Sequence, residues 1–213
     1  MPHIPAAERR EALIAAALRI VARDGVAAAT TRAVVAEAGM PLASFHYVFG
    51  SHDELMTELI QHAITEEYRS IAPLLGSEVT EATIGELVYQ GLVRYLDSVK
   101  ADPERERGML ELTQYALRDP GTAHLARTQY ERYTELVQMA LEAAAGRTGW
   151  RWRVPVVEVA RMVVAIADGM TVSWLVRGDD AESLALARSA ARAVEAHAAR
   201  VAPASEPAGE EER

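Results

Sequence analysis

The chain of 213 residues contains no cysteine, which excludes disulfides, thiolate nucleophiles and cysteine-ligated metals. Its histidines, at positions 3, 46, 52, 62, 124 and 197, show no H-E-x-x-H or other metal-ligand spacing. A glycine-rich phosphate loop and a G-x-S-x-G elbow are both missing. No enzyme constellation is visible, and neither a metal nor a cofactor is expected. Strand alternation, internal repeats and heptad runs are absent too. Residues 1–12 carry two prolines and four charges (Glu8, Arg9, Arg10, Glu11) where a secretion signal would need an apolar run. The most apolar stretch, Val154 to Val176, is interrupted by Glu158, Arg161 and Asp168, which marks a buried helix rather than a membrane span. A cytoplasmic protein with no membrane partner is expected. Asp168 could face a cationic ligand, but pairing with Arg161 or with a partner subunit is the expectation.

Half of the residues are apolar, enough for a folded core or for two small domains sharing a helix. The net charge of −9 argues against a general nucleic-acid binder, but it is unevenly spread. Residues 1–50 hold five arginines (9, 10, 19, 23, 32) against Glu8, Glu11, Asp24 and Glu37, a sum of +1 that leaves −10 for the remainder. A near-neutral head on an acidic body suits a protein that touches DNA at one end only.

The most informative stretch is Thr30 to Phe49. Thr30 can cap a short helix whose apolar side is Val34, Val35 and Ala38. Gly39 stops that helix, and Pro41 suits the first turn of the next. Phe45 and Phe49, four apart, face one way and belong to the core. That leaves Leu42, Ala43, Ser44, His46 and Tyr47 towards the outside. Two short helices about a tight turn make a helix-turn-helix, whose second helix can enter a major groove. Ser44, His46 and Tyr47 supply donors and acceptors for base edges, and Leu42 and Ala43 offer apolar contact to a thymine methyl. Thr30, Thr31 and Arg32 sit at a helix start suited to phosphate, and His52, at the Ser51–Glu54 capping box, can donate to phosphate as well. The candidate DNA face is therefore Thr30, Thr31, Arg32, Pro41, Leu42, Ala43, Ser44, His46, Tyr47 and His52. Arg9 and Arg10 read as solvated helix charges.

The rest of the chain reads as helices throughout. One runs from about Ala7 to Asp24 and ends at Gly25; a linking helix runs from Ser51 to about Ile71 and closes at Pro73. After a loop at 76–80 come helices at about 81–100, 103–118 and 122–145, then a loop at 146–153 holding Trp150 and Trp152. Pro155 to Arg177 is apolar nearly all round, so one side should meet its own core and the other a partner subunit. An alanine-rich helix from Asp180 to about Val201 follows, and 202–213 reads as a disordered tail. The class is all-α, with about nine helices: a three-helix DNA-binding head at 1–50 and a helical ligand-binding and dimerisation body at 51–201. Candidates for lining an apolar pocket are Tyr68, Tyr95, Met109, Gln114, Tyr115, Tyr133, Met162, Met170 and Trp174. Candidates for a dimer interface are Val163, Met170, Trp174, Leu184, Ala187, Ala191 and Val194.

The first quarter of the chain resembles the DNA-binding region of the tetracycline-repressor (TetR/AcrR-like) family. The resemblance rests on Ala15-Ala16-Ala17 with Gly25, on Thr30 to Gly39 against T-x-R-x-I-A-x-x-A-G, on Pro41 to Phe49 as recognition helix, and on Ser51-His52-Asp53-Glu54-Leu55. It implies a homodimeric transcriptional regulator, a repressor released from a palindromic double-stranded DNA operator by a small, largely apolar effector. It also implies that Ala43, Ser44, His46 and Tyr47 approach bases or backbone, and that Thr30, Thr31, Val48 and His52 approach phosphate. Leu42, Val48 and His52 depart from the family's usual polar or basic residues there, and Val48 cannot bind phosphate. Those departures motivate the alternative of a ligand-sequestering or protein-interaction module without specific DNA binding.

Overall fold

In the computed structural model of the chain, residues 5–71 and 83–200 are described. The start of the expected arm, Pro73, the loop at 76–80 and the tail at 202–213 lie outside the described residues. Nine α-helices form among the described residues: α1 (Ala6–Asp24), α2 (Thr31–Glu37), α3 (Leu42–Val48), α4 (His52–Ile71), α5 (Ile84–Ala101), α6 (Pro103–Arg118), α7 (Ala123–Thr148), α8 (Val156–Arg177) and α9 (Asp180–Glu195). The all-helical class and helix count agree with the expectation.

The local signals work as their chemistry requires. Thr30 Oγ1 accepts from the Ala33 amide at 3.3 Å and opens α2. Gly39, at φ 65°, takes the left-handed conformation that closes it, and the Met40 amide donates back to Val35 O. Ser51 and Asp102 likewise cap α4 and α6 through their side chains, and Asp179 caps α9. Pro41 sits one residue ahead of the first turn of α3, as its N-cap.

Two cores result. The first gathers Leu13, Ala17, Ile20 and Val21 of α1, Val34 and Val35 of α2, Phe45 and Phe49, and Leu55, Met56 and Leu59 of α4. The Phe45 and Phe49 rings lie 5.3 Å apart and are 1% exposed, so truncating either should cost about 3–5 kcal/mol. Arg10 pins α1 to the start of α4: its guanidinium pairs with Glu54 and Glu58, donates to Val48 O and lies over the Phe49 ring. It is a clamp, not the solvated charge expected. This core does not stop at the head, because Met109, Leu112 and Ala116 of α6 and Leu125 and Ala126 of α7 complete it. Gly108 permits a close approach, since a Cβ there would stand 3.3 Å from the Ala22 backbone of α1. Nearby, the Glu111 carboxylate of α6 accepts from the Val26 amide at 2.7 Å, across the turn between α1 and α2.

The second core joins α5, α7, α8 and α9 through Ile84, Leu92, Leu141, Val159, Met170, Ala187, Ala191 and Val194, among others. The alanines of α9 let it lie close on α5. Two short strands correct the expected loop at 146–153 and the expected end of the last helix. β1 (Trp150–Trp152) pairs antiparallel with β2 (Ala198–Arg200), so α9 ends at Glu195 rather than near Val201. Trp150 and Trp152, two residues apart, both turn to the second core, while Arg151 stays exposed. Three residues are too few for alternation to register, and an alanine-rich partner reads as helix. The α8 helix is covered on one side only. Ala165, Gly169, Val172 and Val176, at helical spacing, are open to solvent along the other.

Candidate functional site

The head presents α3 outward. Burying Phe45 and Phe49 turns Leu42 (43% exposed), Ala43, His46 and Tyr47 (65% exposed) to solvent. Pro41, Thr30 and Arg32 are exposed beside them and Thr31 is half-buried. The Arg9 guanidinium lies 5.0 Å from the Tyr47 ring centroid, a cation–π contact that holds the phenol at the surface. Glu37 pairs with Arg19 (2.9 Å) and Arg23 (3.5 Å). The Arg19 hydrogen bond holds its carboxyl below the ordinary carboxylate range, against a smaller opposing effect of desolvation.

Two residues of the expected face stand elsewhere. Ser44 is buried beside Phe45, on a helix that packs against both α1 and α2. His52 is half-buried, and its Nε2 donates to Ala29 O at 2.8 Å. A carbonyl can only accept, so that nitrogen carries the proton and is committed to the fold. Only Nδ1 remains for any outside partner.

The body holds a partly open cavity of about 130 Å³ between α5, α6, α7 and α8. A cavity of about 150 Å³ holds benzene, so this one suits a molecule of roughly one ring. Its walls are mainly apolar (Leu87, Val88, Leu92, Leu136, Leu141, Val163 and Val164) with a few polar groups set among them. Tyr95 and Thr171 share a hydrogen bond at 2.8 Å. Thr113 donates to Gln129 Oε1 at 3.1 Å, and Gln129 Nε2 donates to the Tyr133 hydroxyl at 2.6 Å. The Tyr130 hydroxyl donates to Asp168 Oδ2 at 2.8 Å.

Two carboxyls face this cavity, Glu106 from α6 and Asp168 from α8. Burial pushes Glu106 up from its ordinary value, and Arg105 at 3.5 Å opposes the shift. Burial also pushes Asp168 up, partly offset by the Tyr130 hydrogen bond. Asp168 makes no ion pair with Arg161, which is exposed two helical turns, about 10 Å, away.

Of the nine expected pocket residues, Tyr95, Met109 and Tyr133 line the cavity. Gln114 is exposed on the far side of α6. Tyr115 packs on the first core, while Met162, Met170 and Trp174 pack on the second. The Trp174 indole donates to Asp180 Oδ1 at 2.8 Å. Tyr68, half-buried on α4, is also outside the lining. Sequence reasoning passed over Glu106, Gln129 and Tyr130. The one usable signal was Asp168, a single carboxylate inside the most apolar helix.

The expected dimer residues are drawn inward. Val163 lines the cavity, and Met170, Ala187, Ala191 and Val194 fill the second core. Leu184 and Trp174 are half-buried. Periodicity identified the apolar stripe of α9, but α5 of the same chain occupies it. The open apolar surface is the outer stripe of α8 together with Leu186 (40% exposed) of α9.

Comparison with known proteins agrees with this layout. Residues 13–59 match the family of bacterial regulatory proteins described as tetR, and residues 86–203 match the C-terminal domain of BetI-type transcriptional repressors. The nicotine-responsive transcriptional repressor HdnoR of Paenarthrobacter nicotinovorans is 30% identical over 83% of this chain and 89% of its own length. Among solved structures, the multidrug binding protein EbrR complexed with imidazole has 26% identity and a TM-score of 0.65, covering 93% of this chain and 98% of its own. EbrR has also been solved with ethidium. A transcriptional regulator from Rhodococcus sp. Rha1, 16% identical, shares the fold at a TM-score of 0.70 over 91% of this chain and 99% of its own. On these matches the chain belongs to the tetR family of bacterial regulatory proteins, and it is a DNA-binding transcriptional repressor of that family.

Proposed function

We propose that two copies of this chain pair through α8 and α9, place their recognition helices on a palindromic operator, and release it when a small, largely apolar molecule occupies the cavity. The observation that carries the reading is α3 itself. Its two phenylalanines are locked in the core, and its opposite side offers Leu42, Ala43, His46 and Tyr47 to a groove. One such helix makes few base contacts, so two half-sites about 34–36 Å apart, or a multiple, supply the specificity. The open stripe of Ala165, Gly169, Val172 and Val176 with Leu186 supports the pairing face. The names of the relatives support a small-molecule effector: HdnoR is nicotine-responsive and EbrR is multidrug binding. The reading implies a cytoplasmic protein.

The α6 helix is the element that can report occupancy. Met109, Leu110 and Thr113 face the cavity, while Gly108 and Glu111 hold α1 and the turn after it. A ligand that moves α6 therefore strains the seat of the head. Release requires that the ligand bind the released arrangement more tightly than the operator-bound one. The test is footprinting of the purified protein on DNA flanking its own gene. A protected palindrome is expected. Sequence-independent binding that salt abolishes would overturn the reading.

A further inference from the structure

Asp168 is a carboxylate on the wall of an apolar cavity, and its hydrogen-bond partner there is the Tyr130 hydroxyl. We infer that Asp168 is the counterion for a small organic cation that the cavity takes up. The inference rests on the effector reading above and names the chemical class of that effector.

Asp168 is half-buried, so its carboxylate is partly stripped of water, a cost that a cation beside it offsets. Among the described residues no guanidinium lies within ion-pairing distance of Asp168. The charged and titratable groups facing it are Arg94 and Tyr95 of α5, Glu106 of α6, and Tyr130, Tyr133 and Arg147 of α7. Of the two arginines, Arg147 is exposed and Arg94 half-buried, whereas Glu106 is 6% exposed and stands 3.5 Å from Arg105. Burial already favours the protonated form of Asp168. Tyr130 occupies Oδ2 and leaves Oδ1 for the ligand's N–H. Tyr95, Tyr130 and Tyr133 put three aromatic side chains in the same lining, and aromatic rings attract cations.

The step balances: any Asp168 carboxyl that holds its proton releases it to solvent as the cation enters, and the cation's charge is met by the carboxylate's. Asp168 therefore has a higher pKa in the empty cavity than in the complex. Between those two values, uptake strengthens with rising pH, by at most about tenfold per unit for one proton released.

The test uses the whole chain and three one-ring probes of matched shape: benzylammonium, benzyl alcohol and benzoate. Titration calorimetry in two buffers of different ionisation enthalpy gives affinity and proton count together. Benzylammonium should bind tightest, release up to one proton, and tighten as pH rises. In Asp168→Asn its affinity should fall to that of benzyl alcohol with no proton release, while retained benzyl alcohol binding shows the cavity intact. Preference for benzoate would overturn the inference in favour of the arginines. Proton release that survives Asp168→Asn but disappears in Glu106→Gln would overturn the assignment to Asp168. Binding of none of the probes beside a normal operator footprint would overturn it too, and would leave the repressor reading standing. Loss of the footprint with cation uptake intact would be the opposite failure.

Discussion

Gly25 closes α1 at φ 86° and ψ 167°, a region that residues with a Cβ rarely enter. Replacing it with alanine should cost about 1–3 kcal/mol in backbone strain alone. The added Cβ would also stand 2.8 Å from Glu111 Oε2, the oxygen that accepts from the Val26 amide at 2.7 Å. Relieving that contact means moving the carboxylate away and giving up the bond, a further loss of about 1 kcal/mol at this solvent-exposed pair. Gly25→Ala should therefore destabilise the protein by about 2–4 kcal/mol, read as a lower urea midpoint at unchanged slope. Glu111→Ala alone should cost about 1 kcal/mol. The double variant should fall short of the sum by about 1 kcal/mol, because the clash and the bond vanish together. A Gly25→Ala loss below about 0.5 kcal/mol, or strict additivity, would refute the view that α6 seats the head through this turn.

Three further outcomes are expected. Tyr47→Ala should weaken operator binding by about 1–3 kcal/mol in a gel-shift titration, with little change in melting temperature because the ring is 65% exposed; unchanged affinity would remove Tyr47 from the interface. Val172→Asp places a charge in the middle of the open α8 stripe, so sedimentation should show a shift from dimer to monomer with a normal helical spectrum. Tyr130→Phe removes the donor that favours ionised Asp168, so its carboxyl rises further above the ordinary value. Cation uptake should then need a higher pH, seen as an upward move of the pH–affinity curve; a downward move or none would contradict the contact.

Much of the head is legible in the sequence. Thr30, Gly39, Pro41, Ser51 and the Phe45–Phe49 pair act through their nearest neighbours along the chain, and local chemistry sets what they do. Ser44 and His52 defeat a local reading because their surroundings come from elsewhere: Ser44 is buried on a helix packed between α1 and α2, and His52 meets a carbonyl 23 residues earlier. The body is less legible. Helical spacing identifies the apolar stripe of α9 but cannot say whether α5 or a second copy covers it, since the burial gain is the same for either.

The cavity lies furthest from the sequence. Its polar pairs, Tyr95 with Thr171 and Tyr130 with Asp168, span 76 and 38 residues, and no local pattern joins them. By itself the sequence determined the class, the order of helices, the caps and turns of the head and the outward side of α3, because each depends on neighbours within about a turn of helix. Only the tertiary structure decided that Arg10 is a clamp, that two tryptophans form a strand, that α6 touches both head and cavity, and that Asp168 faces a hollow rather than Arg161. Those depend on which faces of distant helices meet, a choice made by packing all of them at once.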